Sequence, residues 1–278
     1  MPLISIITST LNSEQFIGSL SDSLRSQLFK DFEWVVIDGK SKDKTLQIIA
    51  MNSGVVTKVI SEPDNGIYDA WNKGVTLAKG EWICFIGADD FFIDANALGE
   101  ISSSLRGVYP KHRIGYRALS LVNQKKQELY KIGEPWSEAR KKIKDIMTLP
   151  HPGLMHHKTL FEEFGQFDTS FKIAGDYEFL LRVLKNQDPY YCEGRPGIAM
   201  RTGGLSSNPR YSLQSLLESR RASKMHGRLL PRAPFFLGLA RIFIRWLLFK
   251  SLGERRSKIV MDYGRSLLGK APHWTKLD

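Results

Sequence analysis

Four short apolar runs in the first hundred residues, each followed by a helix-like stretch, constrain this chain most. Leu3-Ile4-Ser5-Ile6-Ile7-Thr8, Trp34-Val35-Val36-Ile37, Val55-Val56-Thr57-Lys58-Val59-Ile60 and Glu81 to Ile86 read as strands. Between them, Phe16, Ile17, Leu20, Leu24 and Leu28 recur at helical spacing behind a capping Asn12 or Ser13. Asp43 reads as the N-cap of a second helix through Leu46, Ile49 and Ala50, and a third runs from Tyr68 to Ala78. Continuous apolar strands alternating with amphipathic helices predict an α/β chain with a mostly parallel sheet covered on both faces. Ligands of such sheets bind beyond the carboxyl ends of the strands. Asp38, Glu62, Asp64, Asp89 and Asp90 all fall just after predicted strands, so the topology should set five acids along one edge. Five acids gathered there repel one another unless a cation or ligand donors fill the site.

Asp89-Asp90 is the sharpest feature of that edge. Adjacent aspartates closing a buried strand suit a hard divalent cation, Mg²⁺ or Mn²⁺, bridging carboxylate and diphosphate oxygens. The plain alternative is a turn with a helix cap. Asp38, beside Gly39, is placed to accept from a nucleobase or ribose. Thr8-Ser9-Thr10-Leu11-Asn12-Ser13 stands where a dinucleotide fold carries GxGxxG, which argues against a nicotinamide dehydrogenase, and no GxxxxGK[ST] occurs. Farther on, Gly175-Asp176-Tyr177-Glu178 opens an amphipathic helix. Asp176 there is either a favourable first-turn charge or a general base aimed at an acceptor hydroxyl. Trp71 shares helical spacing with Ile67 and Val75 and reads as core.

Past residue 105 the pattern changes. A hairpin is expected across Asn123-Gln124-Lys125-Lys126, from Tyr116–Val122 to Gln127–Ile132. Helices are expected over Ser137–Asp145, Lys158–Phe164, Gly175–Lys185 and 212–226, a strand end at His156-His157, and a broken strand from Tyr190 to Arg201. Cys84 and Cys192 offer neither a disulfide framework nor a zinc cluster, and Cys84 lies in an apolar run, which predicts a reducing compartment. The N-terminus shows no signal peptide, and no apolar stretch is long enough for a spanning helix.

The formal net charge of +11 is unevenly spread. It is −6 over residues 1–105, +6 over 106–205 and +11 over 206–278, so the excess equals that of the tail. A patterned basic tail points to an anionic surface, membrane or nucleic acid. Within it, Arg241 and Arg245 share one stripe of the helix-like segment 233–249, while Phe235, Phe236, Leu239, Ile242, Phe243, Trp246 and Leu247 cover the rest. Basic residues flank the segment from Arg228 to Lys258, which fits a helix lying in a membrane interface or one packed on the chain's own core.

The opening Ile4-Ser5-Ile6-Ile7-Thr8-Ser9-Thr10-Leu11-Asn12, the run Val36 to Thr45, the run Ser61-Glu62-Pro63-Asp64-Asn65-Gly66-Ile67-Tyr68-Asp69-Ala70-Trp71-Asn72-Lys73-Gly74, and Ile86-Gly87-Ala88-Asp89-Asp90 together resemble family 2 glycosyltransferases of the GT-A fold. The likeness is to the branch that builds bacterial capsule, exopolysaccharide and O-antigen. It continues through His151-Pro152-Gly153 and Asp176-Tyr177-Glu178 and fades after about residue 207. It implies a hexosyltransferase whose residues 1–105 bind the nucleotide-sugar and whose residues 106–205 bind the acceptor in the same domain, with 206–278 as a basic helical tail. Thr8 and Asn12 would lie in the loop lining the nucleotide pocket, Asp38 on the base, and Asp64 and Lys73 near the donor. Asp90 would meet ribose, diphosphate and metal, with Asp89 at the sugar and Asp176 as the catalytic base. His151 is a candidate for the donor diphosphate or the acceptor, against the plain reading of a structural histidine. Arg201, beside Gly203-Gly204, is a candidate for approaching phosphate. Gly87 departs from the family pattern, since many relatives carry an acid there.

The expectation is therefore an inverting transferase using a UDP- or GDP-sugar, Mg²⁺ or Mn²⁺, and a glycan or lipid-linked glycan acceptor. It would sit in the cytoplasm, peripheral on the inner face of the membrane through 228–260, with its oligomeric state open. Two alternatives stand beside it. A metal-dependent nucleotidyltransferase would normally show a Gly- and Arg/Lys-rich phosphate loop after the first strand, which Thr8–Ser13 lacks. A nucleic-acid binder acting through the tail would show steep salt dependence, but the acidic first third disfavours it.

Overall fold

The computed structural model describes residues 1–204, 208–269 and 271–277. The chain runs through β1 (Ile4–Thr10), α1 (Ile17–Arg25), β2 (Phe32–Asp38), α2 (Thr45–Met51), β3 (Lys58–Ser61), α3 (Ile67–Leu77), β4 (Trp82–Phe85), β5 (Phe91–Phe92) and α4 (Ala97–Leu105). It continues through β6 (Ile114–Tyr116), β7 (Leu119–Val122), β8 (Glu128–Ile132), α5 (Trp136–Ala139), β9 (Met155–His157), α6 (Thr159–Phe164), α7 (Gly175–Val183), β10 (Tyr190–Tyr191), β11 (Ile198–Arg201), α8 (Ser212–Met225) and α9 (Ala233–Leu267).

Seven strands form one sheet in the order β10-β6-β9-β4-β1-β2-β3. β1 is parallel to β2 and β4, β2 is parallel to β3, and only β9 runs against its neighbours β4 and β6. The mostly parallel α/β sheet expected from the sequence is present. Side chains alternate across it. Ile4, Ile6, Trp34, Val36 and Cys84 pack on one face against α1 and α4. Ile7, Ile83 and Phe85 pack on the other against α3, α6 and α7. Burial on both faces is why these strands read as unbroken apolar runs. Trp71 is core, as expected, edge-on to Tyr68 and stacked on His151. Cys84 and Cys192 are buried free thiols.

A second sheet, β5-β11-β7-β8, lies beyond the end of β4. The expected hairpin forms within it as β7 and β8, but it is shorter, because Tyr116 belongs to β6 in the large sheet. The expected broken strand resolves into β10 and β11 in different sheets. The pairing Ala199↔Phe91 brings Arg201 back beside the end of β4.

Several boundaries differ from expectation. The first helix begins at Ile17, not Asn12, because the loop before it bonds to the β2–α2 loop. Asn12 has φ 50, its N–H donates to the Ser41 hydroxyl (2.8 Å), and its Oδ1 accepts the Lys42 N–H (2.9 Å). Asp43 stands one residue before the cap position and accepts from the Thr45 N–H (3.0 Å) and hydroxyl (2.5 Å). The third strand starts only at Lys58. The helix expected over 137–145 is one turn, α5, followed by turns.

The tail docks on the core through α8. The Ser223 hydroxyl meets the Tyr177 hydroxyl (3.2 Å), and buried Glu178 pairs with Arg182 (2.8 Å) and His226 (2.9 Å). α9 is broken at Gly253, whose φ of 72 places it in the left-handed region that favours glycine. Among the described residues no helix is long and apolar enough to cross a membrane.

Candidate active site

The carboxyl ends of β1, β2 and β3 are laced together by Asp38. It is fully buried. Its Oδ1 accepts from the Thr10 hydroxyl (2.9 Å) and the Ser41 hydroxyl (2.5 Å), and its Oδ2 from the Ser41 N–H (2.9 Å) and the Ser61 hydroxyl (2.6 Å). Burial pushes its pKa up, but these bonds overcome that and hold it below the usual carboxylate range. An ionised carboxylate has about four lone-pair sites, and the chain's own donors take all four. A nucleobase reaching Asp38 would compete with these hydroxyls for its oxygens.

The β3–α3 loop carries the next group. Lys73 Nζ lies 2.6 Å from Asp64 Oδ1, 2.9 Å from Glu62 and 3.7 Å from Asp69. The hydrogen bond to Asp64 is the first reason its pKa rises above the ordinary lysine value. One committed cation among three acids leaves this loop negative. Asp64 also abuts the end of β2, since a Cβ on Gly39 would sit 3.3 Å from its Oδ2.

Beyond β4, the chain turns sharply through Gly87 to Asp90. Asp90 is 3% exposed; its Oδ2 accepts the Gly87 N–H (3.2 Å) and its Oδ1 the Arg201 N–H (3.2 Å). A Cβ on residue 87 would lie 2.7 Å from Asp89 Oδ1 and 2.9 Å from Asp90 Oδ2. The glycine that departs from the family pattern thus leaves space into which both carboxylates fold, and a side chain there would have to push them aside. Burial, then the neighbouring Asp89, drives the Asp90 pKa well up, and burial raises Asp89. Arg201 lies beside the pair. Its Nε donates to the Asp89 carbonyl (2.9 Å), and its guanidinium sits over the rings of Phe91 (5.2 Å) and Phe16 (5.7 Å). No three His, Cys, Asp or Glu side chains gather as a metal cage among the described residues. Asp89 and Asp90, adjacent carboxylates destabilised by burial, are the residues here that would hold a hard divalent cation.

Asp176 opens α7. Its Oδ1 accepts from the Tyr177 N–H (2.9 Å) and the Tyr68 hydroxyl (3.0 Å), while among the described residues its Oδ2 carries no hydrogen bond. Burial pushes its pKa up to about 6, against the pull of those two donors. Gly175 permits the contact, because a Cβ there would come 2.8 Å from the Tyr68 ring. The loop before α7 is held from outside. Glu218 Oε2, on α8, accepts the N–H groups of Lys172 (3.0 Å), Ile173 (2.8 Å) and Ala174 (3.0 Å). Lys172 Nζ in turn donates to the Asn65 carbonyl (2.9 Å), which ties the loop to the segment that follows Asp64.

The structure thus brings Asp64 to the glycine that follows Asp38, Asp89 and Asp90 to Arg201, and Asp176 to Tyr68 at the start of α3. Two expected residues are elsewhere. Thr8 lies inside β1, not in the loop, and is fully buried with its hydroxyl accepting from the Trp34 indole (3.0 Å). His151 is buried, stacked on Trp71 (4.8 Å) and Phe85 (5.5 Å), and burial lowers its pKa to about 3. It is a neutral core ring and brings no charge to a diphosphate. Tyr68 and Glu218 escaped the sequence reading. Tyr68 stood within a quoted motif, whereas nothing local marks Glu218.

The profile of Glycosyl transferase family 2 matches residues 5–103. A "PGL/p-HBAD biosynthesis glycosyltransferase" of Mycobacterium bovis (strain BCG / Pasteur 1173P2) is 30% identical over 188 residues, covering 66% of this chain and 71% of that one. An uncharacterized glycosyltransferase of Rickettsia typhi is 29% identical over 198 residues, covering 68% and 61%. Among solved structures, residues 1–349 of S. aureus TarS in complex with UDP-GlcNAc superpose with TM-score 0.65 at 21% identity, covering 93% of this chain and 76% of that one. The mannosyltransferase PcManGT from Pyrobaculum calidifontis, in complex with GDP-Man and Mn²⁺, superposes with TM-score 0.60 at 14% identity, covering 99% and 83%.

Proposed function

The chain belongs to glycosyltransferase family 2, and from that premise we propose that it moves a sugar from a UDP- or GDP-linked donor to a hydroxyl of a lipid-linked glycan, inverting the anomeric carbon. The observation that carries this reading is Asp176: a carboxylate with one oxygen tied to Tyr68 and Tyr177, the other free, and a pKa near 6. That is the state of a general base poised close to working pH.

The donor's diphosphate lies across the ends of the strands, with residues 1–105 holding the nucleotide and 106–205 the acceptor. Asp38, with Ser41 and Ser61, shapes the base end. Asp64 and Lys73 border the donor as a fixed ion pair, and Asn12 lines the loop beside them. Asp90, with Asp89 beside it, would hold Mg²⁺ or Mn²⁺, which supplies Lewis-acid stabilisation of the leaving diphosphate. Arg201 stands next to that turn, its guanidinium held by the Asp89 and Gln124 carbonyls. Asp176 takes the acceptor hydroxyl's proton on its free oxygen. The acceptor oxygen then bonds to the anomeric carbon while the bond to the donor phosphate oxygen breaks on the opposite face, which inverts the configuration. The nucleotide-sugars bound by the two structural neighbours support the donor class, and the Mn²⁺ of one supports the metal.

The same reading makes the product a bacterial surface glycan and places the protein on the inner face of the cytoplasmic membrane through 228–260. On α9, Phe236, Phe243 and Leu247 share one outward side and are 56%, 61% and 49% exposed, flanked by basic residues. The decisive experiment is thermal melting of the full chain with UDP or GDP, with and without Mn²⁺. One nucleotide should raise Tm in a metal-dependent way, and Asp90→Ala should abolish the rise. Equal melting with and without both nucleotides at millimolar concentration would reject the reading.

A further inference from the structure

A cavity of about 610 Å³ lies away from the strand edge. It opens between α8, both halves of α9 and the segment 145–147. Its size is that of a site for a drug-sized ligand. Leu216, Phe235, Ile242 and Met261 supply much of its apolar wall.

The charges set into that wall are unbalanced. Asp145 is the one acid of the lining and is paired with Arg228 at 3.1 Å. Arg232, Arg241 and Arg245 also line the cavity, and among the described residues no carboxylate pairs with any of them. Arg245 is the sharpest case. Its Nη2 donates to the Ser212 hydroxyl (2.5 Å), its guanidinium lies over the Trp274 ring (5.7 Å), and burial lowers its pKa. A guanidinium in an apolar wall without a counter-ion is costly, and an anion entering the cavity would relieve that cost. Arg241 and Arg245 both line the chamber, Arg245 half-buried and Arg241 exposed, while Phe236, Phe243 and Leu247 are exposed on the other side of α9.

The chamber adjoins the catalytic machinery. Leu216 and Ser219 of α8 line it, and Glu218 of the same helix holds the loop that presents Asp176.

We propose that this chamber seats one molecule of a phosphate-headed lipid, its chain between α8 and α9 and its phosphate on Arg241 and Arg245, and that this lipid anchors the sugar acceptor. The last clause rests on the sugar-transfer reading, and the binding site does not.

The test is calorimetric titration of the full chain with farnesyl monophosphate in detergent-free buffer. Wild type should bind it. The pair Arg241→Gln and Arg245→Gln should weaken binding at least tenfold, and Ser219→Trp, which fills the chamber and keeps every charge, should do the same while the nucleotide-induced melting shift is unchanged. The two variants act by different routes, so a folding defect in one leaves the other decisive. Affinity unaltered in both, or inorganic phosphate competing as well as the lipid, would overturn the proposal. So would a wild-type dimer in sedimentation that binds no lipid phosphate, since a second copy would then cover the chamber. Lipid binding without any nucleotide response would uphold the chamber and remove the acceptor assignment.

Discussion

The strand-end turns and the C-terminal helices solve opposite electrostatic problems. At the ends of β2, β3 and β4, acids lie close to glycine or backbone, and most are already bonded to the chain's own donors. In the α8–α9 chamber, half-buried Arg245 and exposed Arg232 and Arg241 border an apolar wall, and among the described residues no acid pairs with them. The first arrangement suits a cation and a ligand rich in donors, and the second an amphiphilic anion. The contrast teaches that the net charge of +11 is a poor guide to partners. Position relative to apolar surface decides what each charge can recognise.

The largest effect that sharpens the contrast falls on the acidic side. Asp176→Asn should lower kcat by roughly 10²–10⁴, measured with saturating donor, and a rate within threefold of wild type would remove Asp176 from the mechanism. In the wild type, kcat/KM should climb with pH and level off above about 6, where the base is ionised. Stability should run the other way. The folded pKa of about 6 exceeds the ordinary 3.8, so the folded state holds this proton more tightly and stability falls as pH rises from about 4 through 6. Asp176→Asn should therefore melt higher than wild type at pH 8 while being nearly inactive, and a lower melting temperature at pH 8 would contradict the burial argument.

A middling effect probes the outer side of α9. Phe243→Ser with Trp246→Ser should weaken binding to anionic vesicles at least about thirtyfold, since each removes an aromatic side chain worth about a kcal/mol or more of apolar burial. Flotation that is unchanged would confine the lipid contact to the chamber. The smallest effect joins the two regions. Glu218→Gln keeps the shape but loses the charge that faces the loop before Asp176. It should cost about threefold in kcat, with donor KM unchanged, and move the acid limb of the rate profile to lower pH, because Glu218 is one of the groups raising the Asp176 pKa. A fixed limb would reduce Glu218 to a structural tether.

What was readable locally follows from short-range physics. Apolar runs with no polar alternation marked β1, β2 and β4 because both of their faces are covered. Acids after those runs marked the edge because parallel topology sends every such end the same way. Thr8 closes the first apolar run, and the resemblance placed it in the loop beyond, but β1 continues to Thr10 and the Thr8 hydroxyl is taken inside by Trp34. The two-residue β5 is too short for any periodicity, so the second sheet, and with it the return of Arg201 to Asp90, was invisible. Between the two readings of His151, the rings of Trp71 and Phe85 that close around it favour the structural one.

The sequence by itself determined the α/β architecture, the family and the acids that border the edge, because each depends on residues near in chain order. Only the tertiary structure decided which groups are free to act. Asp38 is saturated by Ser41 and Ser61, Asp176 keeps an open oxygen while Glu218 steadies its loop, and Arg245 is left unpaired beneath Trp274. Burial and the partners that share it arise from contacts between distant segments, and those two quantities set whether a charge is satisfied or waiting.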